Sequence, residues 1–186
     1  AKPINGLQYI IKNKEDTIEG YLLSNRQWNE WVYKFIINII KDLNLTHFLN
    51  IGSHIGTIAL PVSKHIKKVS CVEAYQVTYQ HLLENIELNK IKNIDTYNFA
   101  VGNSEEDIYF MAEDKICPIE NKNRLQNNSG GMHVFTQYEI DNKIRSSILT
   151  DKKINNKMHK LDNTDIDGFD ILLVDIEGHE YDFFCP

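Results

Sequence analysis

Short apolar runs alternate with stretches of helical period along this chain, and that alternation predicts strands joined by crossover helices in a parallel sheet. His47–Ile51, 68–73 and 94–99 have strand length, and 171–176 is a continuous apolar run of the kind a strand covered on both faces shows. Between the first pair, 55–66 reads as a helix, with Pro61 removing one bond and kinking it mildly. Between the second pair, 77–88 reads as a helix with Tyr79, Leu82, Leu83 and Ile86 facing inward. Upstream, 1–23 reads as a small strand and loop. Ser24 with Gln27 suggests a capping box, opening a helix that buries Trp28, Trp31, Val32, Phe35, Ile36, Ile39, Ile40 and Leu43. About seventy residues separate the third and fourth strands, too long for a plain connection. That insertion, about 104–160, holds β pieces at 107–111 and near 132–138 around a polar segment with Gly130 and Gly131. It reads either as a lid or substrate-side element or as a surface excursion.

Composition fits one ordinary globular domain: 186 residues, 42% hydrophobic and 25% charged. A net charge of −6 argues against nucleic acid as a partner. Cys71, Cys117 and Cys185 show no CxxC spacing, and Cys71 lies in an apolar strand, which suggests reduced thiols and a cytoplasmic protein. No signal peptide and no membrane-spanning run is evident, so no membrane partner is expected.

Candidate chemistry gathers where strands end. FLNIGSHIG breaks from a strand into a glycine turn, and Glu73 closes the next strand 21 residues after Gly52. Strand, glycine turn, helix, strand and acid form the arrangement that holds a nucleoside in a doubly wound, Rossmann-like sheet. Gly52 and Gly56 give GxxxG rather than GxGxxG, which disfavours a pyrophosphate and suits S-adenosylmethionine. A tight turn alone would also require such glycines. Asp175 ends the fourth strand, followed by Glu177, His179 and Glu180. A carboxylate there faces the ligand crevice of an open α/β sheet, although acids also cap helices at such positions. Two-residue spacing would scatter these groups on a helix, so no metal site is assigned. His54 reads as a solvent-facing turn residue.

In order, FLNIGSHIG, CVEAY, LLENIELN, NFAVGNSEEDIYF, KLDNTD and ILLVDIEGHEYDFF resemble the pattern of FkbM-type S-adenosylmethionine-dependent methyltransferases. The resemblance implies a class I methyltransferase sheet in 47–186, preceded by an N-terminal unit in 1–46. It implies methyl transfer to a hydroxyl of a sugar, polyketide or other small molecule. Asn50, Gly52, Ser53 and Gly56 would line the methionine part of the cofactor, and Glu73 would hold the ribose. Ala74 and Tyr75 would flank the adenosine, with Asn98, Ala100 and Val101 near the adenine. Asp175 and Glu177 would face the transferred methyl and the acceptor.

This sequence departs from the pattern where the family's usual acid is Asn50 and its frequent lysine is Leu173. The family's last three strands have no counterpart before Pro186, which leads us to expect further chain, or a partner, along the edge of the fourth strand. Two rival readings stand beside the main one. A nicotinamide-dependent oxidoreductase is disfavoured by GxxxG. A catalytically degenerate fold used as a binding or assembly module is favoured by Asn50 and Leu173.

Overall fold

The computed structural model describes residues 3–111, 134–142, 153–176 and 180–184. Glu177, His179, Gly130, Gly131, Cys117 and Cys185 lie outside them. Strands β1 (His47–Ile51), β2 (Lys68–Val72), β3 (Ile94–Tyr97) and β8 (Ile171–Val174) form a parallel sheet in the order β3-β2-β1-β8. Strands β2 and β3 step outward from β1 on one side and β8 returns to its other side, which is the doubly wound α/β order. Register is fixed through Phe48, which faces Val69 on one side and Ile171 on the other. At the amino end, Asp170 accepts from Thr46 N (2.6 Å), Thr46 Oγ1 (3.0 Å) and His47 N (2.9 Å), stitching β8 to β1.

Period-two alternation sends the strand side chains to two cores. Phe48, Val69, Cys71 and Ile94 join the helical layer, while Leu49, Ile51, Val72 and Tyr97 pack with Ile166, Phe169 and Phe183 on the opposite face. Phe48, Leu49, Leu60 and Leu82 are fully enclosed, and each such burial stabilises the fold by roughly 1.5–3 kcal/mol. The fourth strand is only partly covered, at the edge of the sheet. Its residues nevertheless alternate between the two cores, Ile171 and Leu173 packing with the helical layer and Leu172 and Val174 with the opposite face, as its apolar run predicts.

The helical layer departs from expectation in three places. First, 17–23 is not loop but helix α1 (Thr17–Leu23), N-capped by Asp16, whose Oδ1 accepts from Ile18 N and Glu19 N. Ser24 closes that helix instead of opening the next. Second, α2 (Glu30–Leu43) starts after Asn29 and buries Tyr33, Ile36, Ile37 and Ile40. Trp31, Phe35 and Leu43 are 74%, 59% and 65% exposed. This helix is apolar around more than half its girth, so period alone does not choose the face. The Asn5 amide, which donates to Tyr33 Oη at 2.6 Å, joins the N-terminal segment to the chosen one. Third, α3 is only Ala59–Ser63, so Pro61 stands in its first turn, where a missing N–H costs no helical bond and no kink follows.

Helix α4 (Gln76–Leu88) buries Thr78, His81, Leu82 and Asn85. Asn85 joins two segments, accepting from Ile10 N (2.9 Å) and donating to Ile55 O (3.0 Å).

The insertion builds a second sheet, β4-β7-β5-β6, from Ala100–Val101, Lys153–His159, Glu106–Met111 and Val134–Thr136. A short helix, α5 (Gln137–Asp141), follows β6, and α6 (Glu180–Phe184) follows β8. Strand β4 runs parallel to β7, while β5 pairs antiparallel with both β6 and β7. Ala100, Ile108, Phe110 and Met158 pack this sheet against Tyr75. Glu105 ties its edge by accepting from Lys160 N (2.9 Å), Asn163 Nδ2 (2.8 Å) and His159 Nδ1 (2.6 Å).

Candidate functional site

Strand β1 ends in a turn that the chain's own packing dictates. Gly52 has φ +80°, and a β-carbon on it would lie 1.8 Å from the Asp175 carbonyl oxygen. Asp175 N–H donates to Ile51 O at 3.0 Å, while Gly52 and Ser53 N–H both donate to Val72 O. Gly56 has φ +90°, and a β-carbon there would strike Leu60 at 2.2 Å and Leu82 at 2.8 Å. Both glycines are therefore required by close approach before any ligand is considered.

Glu73 follows β2 and is almost wholly buried. Its Oε1 accepts from Tyr75 N (2.9 Å) and Thr78 Oγ1 (2.8 Å), and its Oε2 accepts from His54 N (2.7 Å). Burial pushes its pKa up, and these donors oppose the shift. The carboxylate thus ties the glycine turn to the start of α4. Asn98 continues the network, donating through Nδ2 to Glu73 O at 2.8 Å.

A cavity of about 140 Å³ opens beside the turn, between the carboxyl ends of β1 and β8. Asn50, Gly52, Ser53, His54, Thr57 and Asp175 line its sheet side. Ile18, Trp28 and Asn29, from α1 and the segment between α1 and α2, face them. Asn50 is 2% exposed, and among the described residues no atom accepts from its Nδ2. A buried donor left unmade costs about 1–3 kcal/mol, which a ligand oxygen would recover. Ser53 Oγ instead donates to Asn50 O at 2.7 Å. Burial, and then the nearby Glu180, push the Asp175 carboxyl above its ordinary value. His54 is no solvent-facing turn residue: its ring is turned inward and burial lowers its pKa to about 4.

The structure thus brings Asn50, Gly52, Ser53 and Asp175 to one cavity. Gly56 lies behind it in packing. Tyr75 is buried with its ring 5.2 Å from Phe110, Ala100 joins the same core as Ala74, and Val101 packs with Leu49. Trp28, Asn29, Thr57 and Ile58 line the cavity without any motif to announce them. Asp16, followed three residues later by Glu19, was the one legible sign that 17–23 would be helical and carry Ile18 there. Among the described residues no cluster of three His, Cys, Asp or Glu side chains forms a metal site, and no helix is long and apolar enough to cross a membrane.

No protein-family model and no curated protein matches this chain. Solved structures do. A candidate O-methyltransferase from Klebsiella pneumoniae aligns at 14% identity and TM-score 0.37, covering 39% of this chain and 34% of its own. M. jannaschii TYW2 in complex with AdoMet aligns at 23% and 0.33, covering 42% and 36%. P. horikoshii TYW2 in complex with MeSAdo aligns at 32% and 0.29, covering 30% and 22%. This chain therefore spans between about a fifth and about a third of the length of those proteins.

Proposed function

We propose that this chain is an S-adenosylmethionine-dependent methyltransferase of FkbM type, acting on a hydroxyl of a sugar, polyketide or other small molecule. The observation that carries the reading is one cavity shared by the β1 glycine turn and Asp175, at the carboxyl ends of neighbouring parallel strands. The orphaned Asn50 amide fits the methionyl end of the cofactor, where its N–H would donate to the carboxylate. Glu73 would take the ribose, with Ala74, Tyr75, Asn98, Ala100 and Val101 around the base.

When bound, the cofactor would supply an electrophilic methyl group on a sulfonium, to which an acceptor oxygen would bond as the C–S electron pair leaves with the sulfur. Asp175 would orient the acceptor hydroxyl and take its proton, and Glu177 would face the same acceptor. Partial desolvation, and then the nearby Glu180, raise the Asp175 pKa and make the ionised carboxylate a better proton acceptor.

A second reading, a binding module without turnover, has one specific observation in its favour. The Glu73 carboxylate already serves three donors of its own chain. Calorimetry with S-adenosylhomocysteine, with NAD as comparison and Asn50→Leu as control, tests the cofactor. Binding of the homocysteine compound alone, weakened in the variant, supports the methyltransferase reading. Binding of neither compound overturns it.

A further inference from the structure

Helix α1 reaches the cavity at Asp175 through Ile18, and the next residue, Glu19, is buried. Glu19 Oε2 accepts from Lys12 N and, at 2.9 Å, from Asn13 N. The ring of His81, on α4, stands opposite its other oxygen. His81 Nε2 meets Ile10 O at 2.9 Å, and because a carbonyl only accepts, Nε2 carries a proton. In a neutral ring Nδ1 is then an acceptor. It faces Glu19 Oε1 at 3.9 Å, beyond hydrogen-bond length. Two acceptors thus oppose each other between side chains only 5% and 6% exposed. One proton placed between them turns that opposition into a charge-assisted bond.

This junction sits at one end of the cavity wall formed by Ile18, Trp28 and Asn29. The other end is pinned by Gln27 Nε2, which donates to Thr57 O at 2.6 Å, a bond between groups that do not titrate. Other charges surround the junction. On α4 itself, exposed Glu84 pairs with Lys12 Nζ at 2.7 Å. Asp16 caps α1. From the glycine turn comes His54, whose pKa burial lowers to about 4, with Asp16 opposing the shift and His81 adding to it. His54 therefore stays neutral over the range of about pH 5 to 8, in which imidazoles ordinarily change charge.

We propose that Glu19 and His81 are positioning residues for the cavity at Asp175. The proton they share holds the α1 wall in place. As pH rises that proton passes to solvent, and Ile18 and Trp28 loosen from the sheet. The assignment rests on the methyltransferase reading for what fills the cavity, but not for the movement of its wall.

The chain has two tryptophans, so Trp31→Phe leaves Trp28 as the single reporter, on the wall itself. Trp31 is 74% exposed and lies outside the cavity lining. In this reference chain, quenching of Trp28 emission by acrylamide, a neutral molecule, is followed from about pH 5 to 8. Quenching should rise with pH. Glu19→Gln places an amide N–H opposite Nδ1 while its oxygen still serves Lys12 and Asn13, so the bond forms without the proton. Quenching should then be low at every pH. His81→Phe offers no bond at all, and quenching should be high at every pH. Far-UV circular dichroism checks each fold, and Glu19→Gln decides alone where His81→Phe does not fold. A merely structural role would alter stability in these variants and leave the pH slope in place.

A flat profile in the reference chain overturns the assignment, and so does the same slope in Glu19→Gln. Calorimetry with S-adenosylhomocysteine on the same proteins separates it from the methyltransferase reading. A pH-dependent Trp28 without cofactor binding keeps the positioning pair and removes that reading. Cofactor binding with a flat Trp28 profile does the reverse.

Discussion

The carbonyl of Asp175 occupies the space beside Gly52 that any larger residue would need. The two strand ends approach so closely that a β-carbon on residue 52 would stand 1.8 Å from that oxygen. The candidate base and the glycine turn are thus held by one contact. Gly52→Ala should cost about 3 kcal/mol or more, combining left-handed backbone strain with displacement of β8. Urea denaturation checks this, and a change within about 0.5 kcal/mol, the scatter of neutral surface substitutions, would show that the strand ends are not locked as described.

Glu73 should matter to stability as well as to any ligand. Glu73→Gln leaves one carbonyl oxygen facing three donors from His54, Tyr75 and Thr78. The expected loss is about 1–3 kcal/mol by chemical denaturation. Affinity measurements on Glu73 variants therefore need a stability control, and an unchanged midpoint would mean that the three donors find water instead.

How far the sequence anticipated this arrangement depends on what each element is made of. Strand β1 is legible to the residue, and β2 and α4 to within one residue at an end, because their apolar residues have a single period and clear breaks. The face of α2 is not legible, since Tyr33 and Ile37 compete with Trp31 and Phe35 and only tertiary contacts decide. Strand β7 is invisible for another reason. Its residues, KINNKMH, carry no alternation, and it is held by the ladder to β5 and by Met158. Asn50, Gly52, Ser53 and Asp175 were found from motif position, whereas Trp28 and Asn29 reach the cavity only through the path of α1 and α2.

Asp175→Asn should lower methyl transfer by about 10²–10⁴-fold, the usual contribution of a positioned proton acceptor. S-adenosylhomocysteine affinity should be nearly unchanged. Because burial raises the Asp175 pKa above its ordinary value of 3.8, the ionised base appears only at higher pH, and turnover should climb with pH through that raised value. The variant should lose this limb of the profile. A variant as active as the wild type would remove Asp175 from the reaction.

Glu105 predicts an acid-side effect in the second sheet. The Lys160 backbone N–H, the Asn163 amide and His159 hold its pKa down from 4.5 to about 2. A lowered folded-state pKa means that the carboxylate stabilises the fold above its ordinary value and loses that effect as pH falls through the folded one. The melting-temperature gap between wild type and Glu105→Gln should therefore be full above pH 4.5 and close on the way down to about pH 2. A gap independent of pH would place the effect of the substitution elsewhere.

The pairing of β1 with β8 has a kinetic consequence. Thr46 and Asp170 are bonded across 124 residues of chain, so one edge of β1 stays unfilled until nearly all of the intervening sequence has left the ribosome. Such distant pairing is slow to form. The nascent chain therefore carries the hydrophobic strand Phe48–Ile51 half-paired until β8 emerges, which makes it a natural client for chaperones. The cavity at Asp175 can form only after that pairing.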